Sequence, residues 1–284
     1  MKKILITFLT MNIMLFPHCF TNTANAYNSY ETITENNTYT ENEFVALNQK
    51  INNYKRAQKN AYNTMYYNEL LENKNQYKEY IYQLKTKSTS ELKEMNYNNS
   101  QIKAIHNYDG SDTLSAKAAA TVQGTLSVPS FKYNSSTKKT NITAKYTVKW
   151  NGTPYFKYYD VMAIAVAGSE KKFMDNGSSF SCKKVTDIAR TKASKNVHIG
   201  AGVSYKFNIA DKNNTATFSS ATLTYKAIAA GKVTLAAVEA RYAHWQLNAS
   251  VNFSISANGI SIGFSIGPAY NTENKKTRTL KQYI

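Results

Sequence analysis

Cysteine is almost missing from this 284-residue chain: there are two, and Cys19 lies in an N-terminal stretch that reads as a removable leader. Cys182 alone then remains, which excludes an internal disulfide and a cysteine-built zinc site. Histidine is nearly as scarce. His106, His198 and His244 stand beyond the leader, none at metal-ligand spacing from another and none in an H-E-x-x-H motif. No glycine-rich phosphate loop or G-x-S-x-G elbow occurs. Neither a metal nor a cofactor is expected. Beyond the leader no apolar run approaches the roughly 20 residues of a spanning helix, so no integral membrane segment is expected.

What is present begins with an address. Lys2 and Lys3, the apolar core from Ile4 to Phe16 and the ending Ala24-Asn25-Ala26 make residues 1–26 a secretory signal peptide, cleaved after Ala26. Cys19 lacks the small residues of a lipoprotein cleavage site, and the end at Leu280 to Ile284 carries no sorting signal. A secreted, extracellular product is expected. The abundance of Asn, Tyr and Lys beside little Cys and Pro resembles the usage of secreted proteins of low-GC Gram-positive bacteria.

Charge divides the rest. Residues 27–118 hold 11 acidic and 11 basic side chains, whereas residues 119–284 hold 7 and 22. Such an excess repels itself and adds nothing to folding, so it points to solubility or to an anionic partner. The expected organisation is a disordered leader at 27–39, a helical region at 40–118 and a basic all-β domain at 119–284.

In the neutral region Thr40 with Glu43 reads as a capping box, followed by Phe44, Leu47, Ile51 and Tyr54 at helical spacing. Ala61, Met65, Tyr77, Ile81 and Leu84 continue the stripe, as one long helix or as a hairpin broken near Asn73-Lys74-Asn75. Ser88 with Glu91 and Asn98 with Gln101 make two further capping boxes, and Leu92, Met95, Ile102 and Ile105 can share one small core. The stretch Ser88 to Gly110, STSELKEMNYNNSQIKAIHNYDG, resembles a segment found in uncharacterised secreted proteins of Gram-positive bacteria. The resemblance implies a secreted family and no particular activity.

From Ala119 the period becomes two. Ile142, Ala144, Tyr146, Val148 and Trp150 alternate with polar residues up to Asn151-Gly152, Val203 to Ile209 repeat the pattern, and Leu223, Tyr225 and Ala227 do so weakly. Val161 to Ala167 is a nearly continuous apolar run, as in a central strand. With Val122 to Val128, Phe180 to Ile188 and Val233 to Ala257, about eight strands are expected. The fold class is α+β: a helical N-terminal region followed by an antiparallel β-sandwich or barrel-like domain.

Catalysis finds little support. Glu239, Arg241 and His244 fall where the alternation slips, which fits a bulge turning an ion pair to solvent. Cys182 with Asp187 and His198 has no nucleophile signature, so a structural cysteine is the simpler reading. A secreted hydrolase would need two facing carboxylates from Asp160, Glu170, Asp175, Asp187, Asp211 and Glu239.

The lysines say more. Lys145, Lys149 and Lys206 project from polar strand faces, while Lys171, Lys172, Lys183 and Lys184 fall in turns; these seven are the anion-binding candidates. The partner they suit is an anionic polymer or membrane surface, such as teichoic acid or acidic lipid. Nucleic acid is not expected, because binding aromatics are not interleaved with the lysines.

Val251 to Gly267, VNFSISANGISIGFSIG, is the strongest hairpin signal. A type I′ turn at Asn258-Gly259 would pair Ala257 with Ile260, Ile255 with Ile262, Phe253 with Phe264 and Val251 with Ile266. The opposite face, Asn248, Ser250, Asn252, Ser254, Ser261 and Ser265, is small and neutral, and no charged residue occurs from Gln246 to Thr272. That face is a candidate contact surface, covered or used. The second arm before Pro268 is shorter than the about 9 to 11 residues of a membrane strand. The expected function is a secreted, non-enzymatic protein that binds anionic cell-envelope or membrane surfaces through its β domain. A membrane-damaging toxin or bacteriocin-like factor is the first alternative and a secreted hydrolase the second.

Overall fold

The computed structural model describes residues 37–57, 64–157, 159–184, 193–209, 218–245, 253–266 and 270–281. The expected signal peptide and the expected leader as far as residue 36 lie outside them. The first described element is β1 (Asn37–Asn42), antiparallel to β2 (Thr121–Asn134), so residues 37–39 belong to a sheet edge rather than to a disordered leader. Edge pairing is made by the backbone and needs no apolar rhythm, which is why the sequence hides it.

α1 (Glu43–Ala57) is capped by Asn42, whose Oδ1 accepts the N–H groups of Phe44 at 3.1 Å and Val45 at 3.0 Å. Thr40 lies in β1 instead, so the expected Thr40–Glu43 box does not form. α2 (Thr64–Lys85) runs unbroken through Asn73-Lys74-Asn75. α3 (Thr89–Glu94) and α4 (Asn99–His106) start at the two expected capping boxes, and α5 (Asp112–Ala118) follows under a Ser111 cap that was not foreseen. Leu92, Ile102 and Ile105 share one buried cluster with Phe44, Tyr77 and Ile81, with Met95 at its margin.

The other strands are β3 (Lys139–Asn151), β4 (Tyr159–Gly168), β5 (Met174–Asp175), β6 (Ser179–Lys184), β7 (Ala193–His198), β8 (Gly202–Asn208), β9 (Phe218–Ala230), β10 (Leu235–Trp245), β11 (Phe253–Asn258), β12 (Ser261–Ile266) and β13 (Tyr270–Lys281). One sheet runs β1-β2-β3-β9-β5, with β6 also on β9, and a second runs β13-β10-β4-β8-β7. Leu126, Tyr146 and Leu223 of the first sheet share a single buried cluster with Ile164, Val203 and Val238 of the second. The chain is thus helical plus antiparallel β, as its alternation implied.

β4 holds the middle of the second sheet and is buried along Asp160–Gly168. Its Met162, Ile164 and Val166 face the shared cluster, and its Ala163, Ala165 and Ala167 face outward. On β10 the side chains in the shared cluster are those at even positions, Ala236, Val238, Ala240 and Tyr242, although Val233, Leu235 and Ala237 make the odd positions the apolar ones at its start. Both faces of that strand are covered, so apolarity cannot mark the inner one. The expected irregularity is there, as a register shift against β13 between Ala240 and Tyr242.

Candidate functional site

The outward face of the second sheet has two covers. Toward one end, Leu47 and Ile51 of α1 and Leu70 of α2 pack on Val161 and Ala243. Beside them, β11 and β12 pair only with each other and lie on Ala163, Ala165, Ala167, Ala201 and Ala237. Ile255 and Ile262 are the side chains that press into this alanine bed, 8% and 9% exposed, with Ala257 and Phe264 at its margin.

The hairpin register differs from expectation. Ile255 faces Phe264, Ala257 faces Ile262 and Asn258 faces Ser261, leaving Gly259-Ile260 as the two-residue turn. Gly259 has φ +59°, whereas Asn258 is not among the described residues with positive φ, so the type I′ turn at Asn258-Gly259 is not formed. A glycine at the first turn position suits type II′. The two registers keep the same parity on both arms, so alternation could not choose between them. The structure leaves Ile260 out at the turn, 46% exposed. The aromatic facing pair foreseen between Phe253 and Phe264 is replaced by Phe253 opposite Ile266.

Polar groups steady the bed. Glu239, 1% exposed, accepts from Arg241 Nε at 3.0 Å, and the Arg241 guanidinium lies 4.7 Å from the Phe264 ring centre. The ion pair therefore sits under the hairpin, not in solvent as expected. His198 Nδ1 is 3.4 Å from the Ile255 N–H, and its Nε2 is 3.1 Å from Ser204 Oγ. Burial lowers the His198 pKa, which keeps the ring neutral and Nδ1 free to accept.

Of the neutral contact face, Ser254, Ser256 and Ser261 are exposed, with no cover from the helices. Asn248, Ser250 and Asn252 lie outside the described residues, as do the side chains of Phe253 and Ser265. Among the lysine candidates, Lys145 and Lys149 lie on the outer face of the first sheet, and so does Lys183, which with Lys184 belongs to β6 rather than to the expected turn. Lys206 is on the opposite side of the molecule, paired with Val161 and 4.5 Å from the Tyr159 ring centre. Lys171 and Lys172 are exposed between β4 and β5, and the side chain of Lys184 is outside the described set.

Sequence reasoning missed a second constellation. His244 is fully buried between two carboxylates, with Nδ1 2.9 Å from Asp160 Oδ1 and Nε2 3.1 Å from Glu43 Oε1. Since both acceptors are carboxylates, both ring nitrogens donate, and the imidazole is protonated. Burial alone would push its pKa down; Asp160 and Glu43 overcome that and raise it to about 10. Tyr242 donates a hydrogen bond to Asp160, and Trp150 Nε1 donates to Tyr242 at 3.1 Å. Glu43 also accepts the N–H groups of Tyr155 and Phe156 at 3.0 and 2.9 Å. The group ties the start of α1 to the second sheet. Close by, burial lifts the Glu41 pKa to about 7 against the pull of Lys50 and His244.

The remaining hydrolase candidates do not converge among the described residues. Asp160 is enclosed, Asp175 pairs with Lys195 at 2.6 Å, Glu239 lies under the hairpin and Glu170 is exposed in a turn. Asp187 and Asp211 lie outside the described residues, so the Cys182–Asp187–His198 set cannot be placed. Two surface grooves of about 630 and 600 Å³ are lined by α2 with Tyr155 and by α4, α5 and Asn151, and by none of those four carboxylates.

No protein-family model matches the chain, and no curated protein matches its sequence. Solved structures give faint likeness. One described as "Pore forming protein" has a TM-score of 0.29 and 9% identity, over 57% of this chain and 86% of its own. Another combines the manganese lipoxygenase of Gaeumannomyces graminis with part of the zonadhesin of Komagataella pastoris, at TM-score 0.23 and 8% identity over 57% and 63%. A third concerns AvmM, which catalyses macrocyclization in alchivemycin A biosynthesis, at 0.20 and 11% over 55% and 97%. Scores this low carry no functional weight.

Proposed function

We propose that this is a secreted, non-enzymatic protein that is drawn to acidic membrane surfaces by its basic β domain, read as a sandwich of the two sheets, and anchors there with the β11–β12 hairpin. The observation that carries the proposal is the way the hairpin is held. It joins neither sheet and rests on methyl groups through Ile255 and Ile262. Burying an isoleucine is worth about 1.5–3 kcal/mol, so the pair holds the hairpin by about 3–6 kcal/mol. The interfacial region of a bilayer can return a comparable amount for the same apolar face. No described helix is long and apolar enough to cross a membrane. β12 is described over Ser261–Ile266, shorter than a membrane-crossing strand, so entry to the acyl boundary is the depth that the length supports.

The test is quenching by brominated lipid. In a Cys182→Ser background, a fluorophore at Ile255→Cys or Ile262→Cys should be quenched on acidic vesicles, and one at Ser254→Cys or Ser256→Cys should not. Binding should weaken as salt rises. Equal quenching at all four positions, or none, would remove the proposal.

A membrane-damaging factor is the second reading. It is favoured by the small, neutral, exposed face of Ser254, Ser256 and Ser261, which suits a water-filled lumen. Dye release from the same vesicles with stable oligomers supports it, and intact vesicles carrying bound monomer reject it.

A further inference from the structure

We infer that the outer face of the first sheet is a binding surface for a phosphate-bearing polymer. This rests on reading the basic β domain as anion-seeking, and its choice of a polymer over a bilayer rests in part on the hairpin being the side that meets lipid. The register builds the face. Lys149 pairs with Ser220, which pairs with Lys183, and Thr143 pairs with Lys226, so these lysines point the same way across β3, β9 and β6. Between them Thr147 Oγ1 and Thr222 Oγ1 lie 3.2 Å apart. Inward neighbours such as Val148, Leu223 and Phe180 pack on the shared cluster, which confirms the parity.

Lys145, Lys149, Lys183 and Lys226 are all exposed, and none is in an ion pair with a described residue. Among the described residues no Asp or Glu points out of this face; Asp175 and Glu41 pair with Ala227 and Val122, on the inward side. Lys145 and Lys149 are four residues apart on one strand, roughly 14 Å, and Lys149 and Lys183 are two strands apart, roughly 10 Å. Cations at that spacing, separated by hydroxyl donors, suit repeated anionic groups along a flexible chain.

Two features favour a polymer over a bilayer. The face lies on the opposite side of the molecule from the hairpin, so it does not rest on the membrane that the hairpin enters. Apolar side chains on it are confined to one end, where Ile228 faces the exposed Met174; elsewhere Asn141, Thr143, Lys145, Thr147 and Lys149 fill β3, and Ser179, Ser181 and Lys183 fill β6. Interfacial binding to lipid ordinarily uses aromatic or aliphatic side chains. For the same reason neutral sugar rings have no aromatic platform to stack on there.

Two variants with equal charge change decide the matter. Lys145→Glu/Lys149→Glu/Lys226→Glu alters the face; Lys171→Glu/Lys172→Glu/Lys206→Glu alters the loop and the opposite side. Both are compared with the parent for binding long-chain inorganic polyphosphate and acidic vesicles at low salt, with melting curves to show that each folds. The face variant should lose about tenfold or more in polyphosphate affinity, and the control about twofold or less. Equal losses, or an unchanged face variant, overturn the inference. A face variant that loses vesicle binding as much as polymer binding also overturns it, in favour of lipid docking. Polyphosphate binding that persists while the hairpin fails to meet lipid separates this inference from the anchoring proposal.

Discussion

Glu43 and His244, 201 residues apart in the chain, meet with Oε1 3.1 Å from Nε2, both fully enclosed. One opens the first helix and the other ends a central stretch of the second sheet. A buried pair of this kind is costly to break from one side, because the surviving charge keeps its desolvation penalty. The contact therefore makes the helical region and the β domain interdependent despite their different compositions.

A pH dependence follows from His244. Its pKa is raised from 6.5 to about 10 in the folded state, so its stabilising effect is complete below about pH 6.5 and is lost as pH rises toward 10. The parent should melt several degrees lower at pH 10 than at pH 6.5. His244→Gln should have a lower melting temperature throughout and a flatter profile across that window. A variant whose profile keeps the parent's slope would mean that another group sets it.

The hairpin should loosen before the body melts. Ile255→Ala/Ile262→Ala removes the two side chains that fill the bed. Amide exchange in β11 and β12 should accelerate by about tenfold or more, while the main melting transition moves by only about 2–4 °C. A double variant that unfolds as a whole, with no separate change in the hairpin, would show that β11–β12 is an integral part of the core.

Gly259 is a sharper probe of the turn. At φ +59° a β-branched residue is strained, and a Cβ there meets nothing within 4 Å, so conformation alone is tested. Gly259→Val should cost about 1–2 kcal/mol, read as faster exchange in the hairpin. An unchanged hairpin would mean that the turn is not in this conformation.

Gly152 tests how the helices dock. Its φ is +87° and a Cβ there would come within 2.1 Å of Gln101 Oε1, the atom that also accepts from Asn98 and Thr153. Gly152→Ala should lower the melting temperature by more in the parent than in a Gln101→Ala background, where the clash is gone and only the cost of φ remains. An equal loss in both backgrounds would place the whole cost in the backbone.

How much of this was legible depends on what kind of signal each element uses. β3 and β9 have one face in the shared cluster and one in solvent, so period-two alternation marks them, and the boxes at Ser88 and Asn98 are local chemistry. β10 is covered on both faces, which erased its parity. β13, whose sequence reads YNTENKKTRTLK, joins the second sheet by backbone pairing to β10 and offers no apolar rhythm at all. Lys226 went unremarked as a site residue because the alternation of its strand was weak. The Glu43–His244–Asp160 group is wholly long-range. Glu43 even carried a local meaning, three residues after Thr40, that the tertiary structure overrode.

The alanine bed has a further consequence, for solubility. If the hairpin departs, the surface left behind is five methyl groups bordered by the Glu239–Arg241 ion pair. Patches of exposed apolar surface drive association chiefly when they exceed a few hundred Å², and alanine adds little area per residue. A bed of leucines would have made the emptied body sticky. With alanines, the body can remain dispersed after its hairpin has found another place to lie.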